Sequence, residues 1–316
     1  MKKFLKLAAV AAIAALGASS VARADWAPEG PIKLLIAFAA GGGADTQARL
    51  IAAQIEADLG WQVIPENVTG KGGLNTAVAL KDMPADGTAI GMIVTETLGY
   101  NAVAAGNPVS ASDFTGLTTT AGFQMGIVSK TSKGWNDFGD VIAAAQAGEE
   151  IVFGTMSPRL SDLAFLLGEA NGVEFNIVQV RGGRAVMDGV NADDMDLGWM
   201  AGIQAKGVMA GDLVNLASGI GKPLAVSPDA PLTSAFGLEY AADGYFALVG
   251  PAGMPDDARE ALTAAIVNAI TADGTDVNAL LNRAFGGPTV ISGADLDAKF
   301  AADATAAGSL LAAVGN

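Results

Sequence analysis

The 316-residue chain carries 33 acidic against 18 basic residues, a net charge of −15, which argues against nucleic acid and anionic lipid as partners. It has no cysteine and no histidine. Those two absences remove disulfides, a lipid-attachment cysteine, Cys–His and Ser–His–Asp nucleophiles, His-ligated zinc and the commonest general base, so a binding role is expected with no cofactor, metal or catalysis.

Residues 1–24 place Lys2, Lys3 and Lys6 ahead of an apolar core that ends in Ala22-Arg23-Ala24, the A-x-A form of a signal-peptidase site. Cleavage after Ala24 and export to a periplasm are expected. The apolar core is too short for a comfortable span, and no later stretch has the roughly 18 consecutive apolar residues a membrane helix needs. The mature chain is therefore expected to be a soluble monomer, long enough for one large or two medium domains. Its acidity still permits an anionic ligand, because a bound anion feels nearby backbone dipoles more than distant, screened carboxylates.

Residues 32–38 are an apolar run of strand length, and Ile51, Ile55 and Leu59 then recur at helical spacing until Gly60. Between strand and helix, Gly41, Gly42 and Gly43 predict a tight turn, and the first helical turn leaves backbone N–H groups without partners. Such a place suits an anion; the plainer alternative is a strand-to-helix turn with Asp45 as N-cap. The dinucleotide fingerprint fails here, since Thr46 stands where the third glycine of G-x-G-x-x-G belongs. The phosphate-loop reading of Gly70-Lys71-Gly72 fails too, because no Ser or Thr follows the lysine.

Residues 61–65 read as a strand, 67–73 as a glycine loop, 74–82 as a helix and 89–94 as a strand after the Asp86-Gly87 turn. Strand-like runs at 115–120 and 125–130 lead into a second cycle. It runs helix 137–147, strand 151–154, a helix after Ser161, strand 175–180, helix 184–190, strand 195–200, helix 203–209 and strand 213–217. A loop-rich stretch with Pro223, Pro228 and Pro231 follows, then strand 245–249, a break at 251–255 and a helix from Asp256. Ser292 and Asp295 stand at capping-box spacing before a terminal helix, 296–314. This alternation predicts an α/β protein of two domains with parallel sheets covered on both faces. The first domain is expected to span 25–121 and 220–316 and the second 122–219, with the chain crossing twice. Two domains joined that way, with ligand loops at strand carboxyl ends, describe a hinged clamp.

Several of these segments together resemble the Bug/TctC family, the periplasmic substrate-binding proteins of tripartite tricarboxylate transporters. The resemblance covers nearly the whole mature chain. It is carried by residues 32–45 with Ala48-Arg49-Leu50, by Pro65-Glu66-Asn67 with Gly70-Lys71-Gly72-Gly73, by Asp86-Gly87-Thr88, by Arg181-Gly182-Gly183, and by residues 246–253. It implies a type II periplasmic-binding-protein fold with two interdomain crossover strands, closing over a small carboxylate. The ligand classes implied are di- or tricarboxylates, acidic amino acids and aromatic acids. The implied partner is the set of inner-membrane permease subunits of such a transporter. Beside that reading stand two alternative functions, a ligand-presenting receptor for a membrane sensor and an exported enzyme using Asp and Lys groups. Carried onto matching positions, the ligand loops are Ala40, Gly41, Gly42, Gly43, Ala44 and Asp45; Thr95; Thr155, Ser157 and Ser161; and Arg181, Gly182 and Gly183. The chain departs from the family where Ala37 and Ala39 or Ala40 replace prolines, where Val180 replaces an aromatic, and where the serine-rich loop shrinks to Thr155-Met156-Ser157-Pro158-Arg159.

Arg159, Arg181 and Arg184 can each grip a carboxylate through two parallel hydrogen bonds, or simply pair with surface carboxylates such as Asp162 or Asp188. Trp199, at a strand end, is a candidate cleft wall or a buried core side chain. Asp45 beside a bound carboxylate would repel it, unless the ligand carries an amino group.

Overall fold

The computed structural model describes residues 26–315; the expected leader lies outside them. In chain order, β1 (Ile32–Ile36), α1 (Gly43–Leu59), β2 (Val63–Asn67), α2 (Leu74–Lys81) and β3 (Ala89–Val94) form the first cycle. Two short helices, α3 (Thr95–Leu98) and α4 (Tyr100–Ala104), precede β4 (Phe114–Gly122). The second cycle comprises β5 (Met125–Lys130), α5 (Phe138–Gln146), β6 (Val152–Thr155), α6 (Pro158–Asn171), β7 (Asn176–Gln179), α7 (Gly183–Asn191), β8 (Leu197–Ala201), α8 (Ala205–Ala210) and β9 (Leu213–Ser218). The chain closes with β10 (Tyr245–Pro251), α9 (Asp256–Thr271), α10 (Asp276–Phe285) and α11 (Gly293–Ala313).

Two five-stranded sheets result, ordered β2-β1-β3-β10-β4 and β7-β6-β8-β5-β9. β1 pairs in parallel with β2 and β3, and β6 with β7 and β8, while β10 and β5 run antiparallel to their neighbours. Both sheets are therefore mixed, with a parallel part as the alternation predicts. All six residues of β3 are buried, which is why it reads as an unbroken apolar run instead of an alternating one.

Local chemistry sets the helix ends. In α6, Ser157 at the N-cap accepts the Leu160 N–H at 3.3 Å, Pro158 occupies the first turn, and Gly172 closes the helix at φ 64°. In α11 the expected capping box is absent. Ser292 does stand at the N-cap, but its hydroxyl donates to Thr118 Oγ1 on β4 at 2.8 Å and makes no capping bond. α11 buries Leu296, Phe300, Ala307 and Leu310, an apolar stripe at helical spacing that returns the end of the chain to the first sheet.

The chain crosses between sheets at 123–124, where the Gln124 carbonyl accepts from Gln204 Nε2 at 2.9 Å and its side-chain oxygen accepts from Ala225 N at 2.7 Å. The return lies later than the expected 219/220 boundary. Ser218 N donates to Pro231 O, Asn171 donates to Phe236 O, and the Phe236 ring packs edge-on to Phe138, so this stretch stays with the second domain and the crossing falls near 241–244. No helix of the described residues is long and apolar enough to cross a membrane.

Candidate ligand-binding site

Ligands of open α/β sheets bind beyond the carboxyl ends of the strands, where the strand order reverses. Here both sheets turn those ends toward one another and border a partly open cavity. From the first domain, Phe38 beyond β1, the following Gly42, Gly43 and Ala44, and Val94 and Glu96 around the end of β3 line it. The crossing adds Phe123 and Met125, and β10 adds Phe246. The second domain supplies Met156 and Leu160 beyond β6, Gly183 at the start of α7, and Ala201 and Ile203 at the end of β8. The interior leaves about 40 Å³ for the centres of water-sized groups, more than the 10–15 Å³ or so that one water needs.

The first loop is built by its own hydrogen bonds. Gly41 sits at φ 74°, a conformation that favours glycine, and its N–H donates to Asp45 Oδ2 at 2.8 Å. The Gly42 N–H is taken by Ala39 O at 3.2 Å. Asp45 is not the N-cap; Gly42 is. The Asp45 carboxylate, 3% exposed, lies in the first turn of α1 and reaches back, its Oδ1 accepting from Asn67 Nδ2 at 2.8 Å and Arg49 Nε at 2.9 Å. Among the described residues, the next N–H groups, of Gly43 and Ala44, meet no acceptor. They remain as donors at the positive end of the α1 dipole, on the cavity wall.

The lips of the cleft touch. Ala39 N donates to Arg181 O at 3.2 Å, and a Cβ on Gly182, whose φ is 125°, would stand 3.3 Å from Ala39 N and Phe38 Cβ. Farther round the cleft, Arg159 Nη1 and Nη2 donate to Asp243 O and Ala241 O, each at 2.7 Å, with Nη1 3.5 Å from Glu96 Oε2. Tyr100 of the first domain donates a short hydrogen bond to Asp162 of the second. Burial, then the Asp162 hydrogen bond and charge, holds the Tyr100 hydroxyl far above the usual tyrosine range. Burial likewise raises the Asp162 carboxyl, against a lowering by the Tyr100 bond.

Of the residues expected at the ligand, Gly42, Gly43, Ala44 and Gly183 line the cavity, while Ala40, Gly41, Arg181 and Gly182 lie at or beside the lip. The expected hydroxyl residues, Thr95, Thr155, Ser157 and Ser161, are not among those that line this cavity. Thr95 Oγ1 accepts the Tyr245 N–H at 3.2 Å, Thr155 and Ser161 hydrogen-bond each other at 2.7 Å, and Ser157 caps α6. Thr155 and Ser157 are 0% exposed, because local backbone and hydroxyl partners capture these side chains. Trp199 is likewise core. It is fully buried, its indole N–H donates to Leu160 O at 3.1 Å, and its ring packs on Phe153. Arg184 pairs with Asp188 at 2.8 Å. Arg159 pairs with the 241–243 segment and Glu96 instead of Asp162. The exposed Arg181 side chain has no polar partner among the described residues.

Sequence reading missed Glu96 and the apolar wall. An acidic residue two places beyond a wholly apolar strand was a usable signal for Glu96. Phe123, Met125, Met156, Leu160, Ile203 and Phe246 had none, since apolar residues at strand ends look like core.

A model of the tripartite tricarboxylate transporter family receptor, TctC, matches residues 47–314. The chain belongs to the TctC family. A UPF0065 protein of Agrobacterium vitis is 29% identical over 78% of this chain and 73% of its own length, and one of Cupriavidus necator is 27% identical over 77% and 76%. Among solved structures, the periplasmic binding protein BugD superposes with a TM-score of 0.80 at 19% identity, covering 92% of this chain and 99% of its own. MatC of Rhodopseudomonas palustris, with bound malate, gives 0.78 at 19% identity over 90% and 99%, and an R. palustris protein with adipate gives 0.79 at 20% over 91% and 98%. At such identities the likeness shows the fold, and the TctC chain described here has the two-domain periplasmic-binding-protein architecture.

Proposed function

We propose that this TctC-family protein is a periplasmic solute receptor that closes over a small organic carboxylate and delivers it to the inner-membrane permease of a tripartite tricarboxylate transporter. The observation that carries the reading is the interdomain cavity with the free Gly43 and Ala44 N–H groups on its wall. A carboxylate is the small anion that two adjacent N–H donors at a helix N-terminus hold well. Malate and adipate in structural neighbours of the same fold support that class. The work is done by binding and hinge closure, since the affinity for the closed form drives the lips together. Export is supported by the leader's composition and by the periplasmic neighbours.

The test is calorimetry and thermal unfolding of the mature chain against di- and tricarboxylates, acidic amino acids and aromatic carboxylates, with sugars as controls. A true ligand at 100 times its Kd stabilises the fold by about 2.7 kcal/mol. Stabilisation by sugars alone, with every carboxylate inert, would overturn the reading.

A further inference from the structure

The cavity holds a carboxylate of its own. Glu96 is 6% exposed and lines the same space as Gly43 and Ala44. Its Oε1 accepts a long 3.4 Å bond from Asn101 Nδ2, whereas its Oε2 accepts no hydrogen bond among the described residues. The Arg159 guanidinium stands 3.5 Å from that Oε2, but its nitrogens already donate to Asp243 O and Ala241 O at 2.7 Å, and it shares its charge with Asp243 Oδ1 at 3.5 Å. One cation thus faces two carboxylates. A buried carboxylate oxygen without a donor is costly, and a charged donor reaching it forms one of the stronger hydrogen bonds available.

The rest of the wall narrows the choice. No lysine or arginine lines this cavity, and Phe38, Phe123, Met156, Ile203 and Phe246 make it apolar. A second ligand carboxylate would be buried against apolar side chains and the like charge of Glu96, with no cation to receive it.

Resting on the carboxylate reading above, we infer that the ligand is a monocarboxylate with an apolar body and a protonated amine, an amino acid of the leucine or phenylalanine kind. Its carboxylate lies on the Gly43 and Ala44 N–H groups, its ammonium pairs with the Glu96 carboxylate, which the long Asn101 bond and a shared arginine leave poorly satisfied, and its side chain fills the apolar wall.

Matched ligands test this by calorimetry on the mature protein: leucine against isocaproate, phenylalanine against hydrocinnamate, leucinamide, and succinate and malate. In the wild type, the amino member of a pair should bind on the order of 10- to 100-fold more tightly than its des-amino partner. Glu96→Gln should bring that ratio near one, partly by a gain for the des-amino acid, which misfolding cannot mimic. If Glu96→Gln does not fold, the wild-type ratio decides alone. Des-amino acids binding as well as amino acids, dicarboxylates binding best, or an unchanged ratio in Glu96→Gln would overturn the inference while leaving a carboxylate receptor standing. Leucinamide binding as well as leucine would instead sink the carboxylate reading, and with it this inference, as would binding of none of these compounds.

Discussion

Asp45 shows how one side chain organises a loop that glycine content alone does not. Its two oxygens collect the Gly41 N–H, Asn67 and Arg49, so the carboxylate that would have repelled a ligand is spent in holding the loop. That leaves the Gly43 and Ala44 N–H groups for the cavity. The opposing lip depends on Gly182 in the same way. Its φ of 125° is a region side chains rarely adopt, and an added methyl would meet Ala39 and Phe38 at 3.3 Å. Gly182→Ala should therefore cost about 1–3 kcal/mol in backbone strain and hold the lips apart, weakening the best ligand mainly through a faster off-rate. Stopped-flow dissociation measures this; an unchanged off-rate would show that lip contact is not needed for retention.

At the scale of elements, most of the architecture was legible in sequence because its signals are local. Apolar runs marked β1 and β3, and Gly60 ended α1. The short α3 and α4 and the helix α10 were not read, the first two being four and five residues long. The capping box at Ser292 failed for a tertiary reason, since Thr118 on β4 is a competing partner for its hydroxyl. The same contact supports the docking of α11 onto β4, with Phe300 1% exposed at its centre. Phe300→Ala should destabilise the fold by about 3–5 kcal/mol through the lost transfer energy and the cavity left behind. Urea unfolding monitored by circular dichroism would detect it; a loss below about 1 kcal/mol would mean that α11 is weakly docked.

For the whole molecule, the decisive contacts cross between domains: Ala39 with Arg181, Arg159 with Glu96, and Tyr100 with Asp162. The last makes closure pH-dependent. Burial raises the Asp162 pKa in the closed form. A raised carboxyl favours the closed form fully below the ordinary aspartate value of about 3.9, and that contribution is lost as pH rises through the raised value. Asp86, held low by the Thr88 hydroxyl and N–H of its own turn, bears on folding and not on closure, and its contribution is lost as acid protonates it. The ligand-free protein should accordingly contract as pH falls from neutral toward that aspartate value, seen as a smaller radius of gyration in X-ray scattering. Asp162→Asn should remove the trend, and a variant that contracts as the wild type does would assign it to other carboxylates.

Sequence by itself determined the features that local pattern and residue types dictate: the two α/β cycles, the double crossing, the glycine turn ahead of α1, and a chemistry without histidine or cysteine. Periodicity, turn residues and composition need no knowledge of neighbours far along the chain. Only the tertiary structure decided which groups line the cavity. A hydroxyl such as Thr155 or Ser157 serves a ligand only if the fold turns it toward the cavity, and both are fully buried away from its lining, partnered by Ser161 and the α6 N-terminus. Trp199 went to the core for the same reason, its indole N–H finding Leu160 O inside the domain. Glu96 lines the cavity because packing buried it there, a placement set by the assembled two-domain fold that no local stretch of residues encodes.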